Sequence, residues 1–173
     1  MTDSVELNAA PVGQDAGRVV GSGRLAGKVA LVTGAAGNFG SHIVQRFLRE
    51  GARVVLTGRN LDNLNKARAR LTATAGVPDD AAIALRMDGA DPTEVRTAIA
   101  DTLDHFGRLD VLVNNAGSAG PKRRLADVPI SRRELSGETE TVGDAARNIL
   151  AVPWNLARAA APYLKPGASI INV

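Results

Sequence analysis

Lys28-Val-Ala-Leu-Val-Thr33-Gly34-Ala35-Ala36-Gly37-Asn38-Phe39-Gly40 is the stretch that decides the fold. Lys28–Thr33 is a short apolar run bounded by glycine, the pattern of a strand buried on both faces of a parallel sheet. Phe39 to Glu50 reads as a helix with Ile43, Val44, Phe47 and Leu48 on one face, and Gly51 stops it. A glycine turn between a strand and a helix has a physical use. The missing side chains let the backbone approach a diphosphate, and the helix start offers free N–H groups and the positive end of its dipole. The alternative is a tight turn with no ligand. The strand before it and the helix after it favour the anion-binding reading.

The alternation continues outward from that turn. Arg53–Leu56 reads as a second strand. A helix capped by Asn60 follows from Leu61 to about Thr74, and Ala82–Met87 reads as a third strand. Asp91-Pro92-Thr93-Glu94 marks a helix start: Asp at the cap, Pro in the first turn and Glu three residues on. Val95, Ile99, Leu103 and Phe106 then face the core until Gly107. Val111–Asn114 reads as a fourth strand and 118–140 as a loop with a short helical turn. Val142–Leu164 reads as a long helix interrupted by Pro153, and Ser169–Val173 as a fifth strand. Residues 1–25 have no sustained period and read as a flexible leader to one domain over 26–173. Short apolar strands separated by helices predict an α/β fold, a doubly wound parallel sheet of Rossmann type in three layers, α/β/α.

With 173 residues, 45% hydrophobic and 23% charged, the chain suits one globular domain and not a disordered segment. No apolar run reaches the roughly 18 residues of a spanning helix, and the polar, acidic Met1–Ala10 is no secretory signal. No membrane partner is expected, and the cytoplasm is the expected location. The absence of cysteine excludes disulfides, zinc thiolates and a cysteine nucleophile. His42 and His105 lie far apart, so no metal site is expected. A net charge of +3 and a pI of about 9.8 raise the question of nucleic acid. The interspersed acidic residues and an aromatic content of 3% argue against it. A small anionic ligand is the expected partner of some of the cations.

Dinucleotide folds place an acidic residue about 20 residues beyond the glycine turn to hold the ribose hydroxyls of NAD. Here the second strand runs into Leu56-Thr57-Gly58-Arg59, which contains no acid. Arg59 can pair with a 2′-phosphate through charge-assisted hydrogen bonds, so NADP(H) is the expected cofactor. The alternative is a solvated surface arginine.

TGAAGNFG at 33–40, Asp88 after the third strand and Asn114-Asn115-Ala116-Gly117 after the fourth resemble the short-chain dehydrogenase/reductase family, over about residues 25–173. The family glycine pattern, TGxxxGxG, is met except at Asn38, where the middle glycine is expected. Asn is the next most tolerant residue for positive φ. The resemblance implies cofactor-binding roles for Gly34, Gly37, Asn38, Phe39 and Gly40. Asp88 would accept a hydrogen bond from the adenine amino group, with Gly89 beside it. Asn115, Ala116 and Gly117 would line the cofactor, while Asn114 ties the central strands together. Asn148 resembles the family's helix asparagine that supports a proton-relay water, with one residue more before Pro162 than is usual.

Longer stretches, GRLAGKVALVTGAAGNFGS, RMDGADPTEVR and NNAGSAGPKRRLADVP, resemble the amino-terminal region of bifunctional malonyl-CoA reductases. That resemblance implies NADPH-dependent reduction of malonate semialdehyde to 3-hydroxypropionate. Lys122, Arg123 and Arg124 follow the Asn-Asn-Ala-Gly motif, where a substrate would approach the nicotinamide. Arg123 or Arg124 is suited to grip the carboxylate of the semialdehyde. A solvated basic loop is the alternative.

The family's chemistry also implies a Tyr-x-x-x-Lys pair and a serine or threonine at the carbonyl oxygen, the pair on the helix after the fifth strand. The only tyrosine, Tyr163, precedes that strand, and Lys165 follows it by two residues, which do not share a helix face. Tyr163 therefore reads as a partly buried helix-end residue. The chain is accordingly expected to be a fragment, truncated in the fifth strand. It would hold the cofactor half without the catalytic half, be inactive alone, and leave a sheet edge open at Ser169–Val173. Its expected partners are a small aldehyde or alcohol, the rest of its own longer chain and, on the resemblance, a second copy in a homodimer. Two other functions stay open: a non-catalytic dinucleotide-binding or scaffold domain of a larger reductase, and a single-domain reductase of another carbonyl compound.

Overall fold

In the computed structural model, which describes residues 23–117 and 142–173, strands and helices alternate as the apolar pattern requires. The order is β1 (Val29–Thr33), α1 (Asn38–Arg49), β2 (Arg53–Gly58), α2 (Leu61–Ala75), β3 (Ala82–Arg86), α3 (Pro92–Phe106), β4 (Val111–Asn114), α4 (Val142–Ala160) and β5 (Ser169–Asn172). The strands form one parallel sheet in the order β3-β2-β1-β4-β5.

Side chains alternate across a strand, so a sheet covered on both faces needs apolar residues at every position. Ala30, Val32, Val54 and Leu56 turn to one face, against Val44 and Leu48 of α1 and Leu64 and Leu71 of α2. Leu31, Val55 and Leu112 turn to the other, against Val95 and Ile99 of α3 and Leu156 of α4. This is the doubly wound, three-layer arrangement. The direction of winding reverses between β1 and β4, which places a switch point at their carboxyl ends.

Element limits differ from the sequence reading where tertiary pairing decides them. β2 runs on to Gly58 because Thr57 and Gly58 pair with Leu85 and Arg86 of β3. α4 stops at Ala160, and Ala161–Tyr163 tightens into a 3-10 turn. Pro162 has no N–H with which to extend the helix. Gly23–Leu25, read as the end of a leader, is tied down: the Leu25 N–H donates to the Glu50 carbonyl at 3.0 Å, and Arg24 pairs with the buried Glu50 carboxylate at 3.3 Å. The loop read over 118–140 lies outside the described residues. β5 pairs only with β4 among the described residues and leaves Ile170 and Ile171 more than two-fifths exposed.

The amino ends of β1 and β4 are joined by a buried carboxylate. Asp110 accepts the Val29 N–H at 2.9 Å and two hydrogen bonds from Arg108 at 2.6 and 2.7 Å, with Lys28 3.6 Å away. Burial pushes this carboxyl up. The Arg108 hydrogen bonds, the Val29 N–H and the two positive charges together outweigh that and hold it below its ordinary value of 3.8. A lowered value in the fold stabilises the fold above pH 3.8, and the contribution disappears as pH falls through the folded-state value. Asp110→Asn should cost about 1–3 kcal/mol at pH 7, as expected for charged hydrogen bonds. It should also shrink the stability difference between neutral and strongly acid solution. Urea unfolding at both pH values measures this. An unchanged difference would assign the acid sensitivity elsewhere.

Candidate cofactor site

The carboxyl ends of β1 to β4 open on a groove at the switch point. One hollow of about 360 Å³ lies between Thr33–Gly34, Gly58–Arg59, Asp88–Gly89 and Ala116–Gly117. A second, of about 430 Å³, shares Gly34, Arg59 and Gly117 and extends along Gly37–Gly40 to Asn60 and Asn63. Together they form one elongated groove of the size that small-ligand sites have.

A single hydroxyl organises its floor. Thr33 is 1% exposed, and its Oγ1 accepts the N–H groups of Asn115 and Ala116 at 2.9 and 2.8 Å while donating to the Val113 carbonyl at 3.3 Å. The Asn115 amide donates back to the carbonyls of Thr33 and Gly34, at 2.9 and 3.3 Å. Asn115 thus braces the glycine turn with its side chain and borders the second hollow. Asn114 donates to Asn172 Oδ1 at 2.8 Å and so joins β4 to β5.

The glycine turn leads into α1, whose start has no side-chain cap. Gly34 has φ +61°, and Gly37 stands at the helix cap. Gly37 offers no side-chain cap and the first turn carries no acid, whereas Asn60 caps α2 and Asp91 caps α3. Unsatisfied N–H groups at a helix start attract an anion. Asn38 does not need the tolerance of positive φ expected of it. It is the first residue of α1, and no residue other than glycine has positive φ among the described residues. Gly40 is buried under the turn, and Phe39 stands 74% exposed at the groove's mouth.

Arg59 is exposed at the end of β2, borders both hollows and makes no hydrogen bond or ion pair among the described residues. Asp88 stands across the first hollow. Its Oδ1 accepts the Ala90 N–H at 3.0 Å, and its own N–H donates to Glu94 Oε2 at 2.7 Å. Glu94 also pairs with Arg86 at 2.8 Å. The Asp88 N–H first, and Arg86 with it, hold the Glu94 carboxyl below the usual carboxylate range. The sequence places Glu94 in a capping box, where it would reach back to the N–H of Asp91. That N–H is already donated to the Asp88 carbonyl at 3.0 Å, so Glu94 turns outward to Asp88.

The sequence reading missed Asn155 altogether, and it missed the supporting roles of Thr33 and Glu94. Asn155 of α4 donates to the Gly89 carbonyl at 3.1 Å. Its signal was a polar residue beside the buried stripe of Val152, Leu156 and Ala160. Asn148 lies in α4, with its side chain outside the described residues, and Lys122, Arg123 and Arg124 also lie outside them. Tyr163 is half exposed beyond α4. No helix among the described residues is long and apolar enough to cross a membrane.

These residues fit a dinucleotide phosphate. The glycine turn and uncapped α1 suit a diphosphate, the unpaired guanidinium of Arg59 suits a further phosphate, and Asp88 has a carboxylate oxygen that accepts nothing among the described residues. The short chain dehydrogenase family model matches residues 28–173, and the chain belongs to that family. Among solved structures, the N-domain of a bacterial malonyl-CoA reductase with NADP is 51% identical, with a TM-score of 0.78 over 86% of this chain and 29% of that one. A short chain dehydrogenase from Burkholderia cenocepacia in complex with NADP is 33% identical, with a TM-score of 0.68 over 86% of this chain and 56% of that one. The 15-hydroxyprostaglandin dehydrogenase [NAD(+)] of Rattus norvegicus is 42% identical over 53% of this chain and 34% of that protein. The chain spans about half the length, or less, of these relatives.

Proposed function

We propose that this chain holds NADP(H) for a short-chain reductase that converts malonate semialdehyde to 3-hydroxypropionate. The observation that carries the cofactor assignment is Arg59, a cation without a partner among the described residues, at the strand end where an NAD-selective site would carry an acid. The 51% identity with the malonyl-CoA reductase N-domain supports the substrate. So do Arg123 and Arg124, which follow the Asn-Asn-Ala-Gly motif.

When bound, the cofactor supplies a hydride to the aldehyde carbon. The chain's own part is to bind and orient. The start of α1 with Gly34, Gly37, Asn38, Phe39 and Gly40 takes the diphosphate, and Arg59 takes the 2′-phosphate. Asp88 beside Gly89 takes the adenine, and Asn115, Ala116 and Gly117 line the cofactor. Arg123 or Arg124 grips the substrate carboxylate, and Asn148 holds a relay water. In this reading the protein works in the cytoplasm, as a homodimer, together with the remainder of a longer chain.

A charge-assisted hydrogen bond contributes about 1.5–3 kcal/mol. The full protein should therefore prefer NADPH to NADH by about ten- to hundredfold in kcat/KM. Arg59→Ala should remove most of that preference by weakening NADPH alone. Steady-state reduction of malonate semialdehyde with each cofactor checks this. Equal use of the two cofactors by the unaltered protein refutes the NADP(H) assignment. Tight NADPH binding without turnover of the semialdehyde refutes the substrate.

A further inference from the structure

Asp88 reaches the groove from a short turn, Asp88 to Asp91, closed by the Asp91 N–H on the Asp88 carbonyl. The turn follows Met87, which is buried and whose N–H donates to the Gly58 carbonyl at 2.9 Å, so the strand side anchors only its start. Two helices hold the rest. From α3, Glu94 accepts the Asp88 N–H. From α4, Asn155 Nδ2 donates to the Gly89 carbonyl at 3.1 Å and lies 3.5 Å from the Ala90 carbonyl. Val152 of α4, 7% exposed, packs so closely on Gly89 that a Cβ there would stand 2.6 Å from its Cγ1. A polar side chain beside an apolar stripe is costly unless its donors are used, and here the turn's carbonyls use them.

We infer that Asn155 is a positioning residue that fixes the Asp88–Gly89–Ala90 turn from α4, and so sets selection for the amino edge of adenine. Asn155 touches no ligand in this scheme. It acts by holding the backbone to which the Asp88 carboxylate is attached, while Glu94 holds the same backbone from α3. The inference rests on the dinucleotide reading above and adds to it a determinant of base selection that lies on a separate helix.

The test compares NADP+, NAD+ and 1,N6-etheno-NADP+, whose base has no amino hydrogen at that edge. Each is titrated calorimetrically into the full protein and into Asn155→Ala and Asn155→Asp, the second of which keeps the size and removes both donors. The unaltered protein should bind NADP+ about tenfold more tightly than the etheno compound, as one hydrogen bond to a carboxylate predicts. Both variants should cut that ratio severalfold and leave the NADP+ to NAD+ ratio, which Arg59 sets, unchanged. An etheno ratio that stays at its original value in both variants overturns the role of Asn155. So does a parallel collapse of both ratios, which marks general loosening. If the unaltered protein binds NADP+ without discriminating against the etheno compound, the base-reading role fails and the cofactor site stands. If it binds no dinucleotide, the cofactor reading itself fails.

Discussion

Gly40→Ala should lower dinucleotide affinity by about a hundredfold and destabilise the fold by about 3 kcal/mol, the upper end of ordinary overpacking. Gly40 lies in the first turn of α1, directly over the glycine loop. A Cβ there would overlap the Gly34 carbonyl oxygen and stand 2.9 Å from both Ala35 Cα and Asn115 Nδ2. Two of those three obstacles are backbone, so no rotamer change relieves them. The third is the amide that braces the loop by donating to Thr33 and Gly34. The helix must move away from β1, and the N–H groups at its start move with it. Gly117 is the control: it borders the same groove, and a Cβ added there meets nothing within 4 Å among the described residues. Gly117→Ala should keep stability within about 1 kcal/mol, as substitutions away from packed features do. Urea unfolding and NADPH titration of the two variants separate the effects. Equal behaviour of the pair would show that α1 does not need its close approach to the loop.

The layers were legible in the sequence because a sheet covered on both faces writes itself as continuous apolar runs, and because Asn60, Asp91 and Gly107 punctuate the helices through local chemistry. The groove was legible for a similar reason. Its turn glycines, the missing acid at Arg59 and the Asn-Asn-Ala-Gly run are all contiguous with strand ends. What stayed hidden depends on partners distant in sequence or on competition for one donor. Thr33 closes a strand, where threonine is an ordinary choice, and nothing local shows that its hydroxyl serves N–H groups more than 80 residues on. Glu94 matches a capping rule, yet the N–H that the rule offers it is already bonded to Asp88. Asn38 stands at a glycine position of a family pattern, but the helix begins on it and asks for no unusual backbone. Local rules therefore placed the elements well, and they misjudged side chains whose nearest competitor for a hydrogen bond came from another element.

Thr33→Val should cost about 3 kcal/mol and weaken NADPH binding at least tenfold, although it preserves shape and volume. Valine cannot accept a hydrogen bond, so the N–H groups of Asn115 and Ala116 both lose their partner, and each lost partner at a partly buried group costs about 1–3 kcal/mol. The Val113 carbonyl also loses a donor, and the turn that carries Ala116 and Gly117 is released from β1. Thr33→Ser keeps the hydroxyl and removes one methyl group, a loss of about 0.8 kcal/mol, and should retain NADPH binding. Thr57 provides the sharper comparison. It is as deeply buried, one strand over, but among the described residues its Oγ1 only donates, to the Val32 carbonyl at 3.2 Å. Thr57→Val therefore strands no N–H and should cost about 1 kcal/mol. Measured side by side, a large loss at Thr33 and a small one at Thr57 would identify acceptance of the two N–H groups as the source of the effect. Equal losses would instead assign it to the polarity of the strand ends in general, and the hydroxyl would cease to be the link between the sheet and the groove.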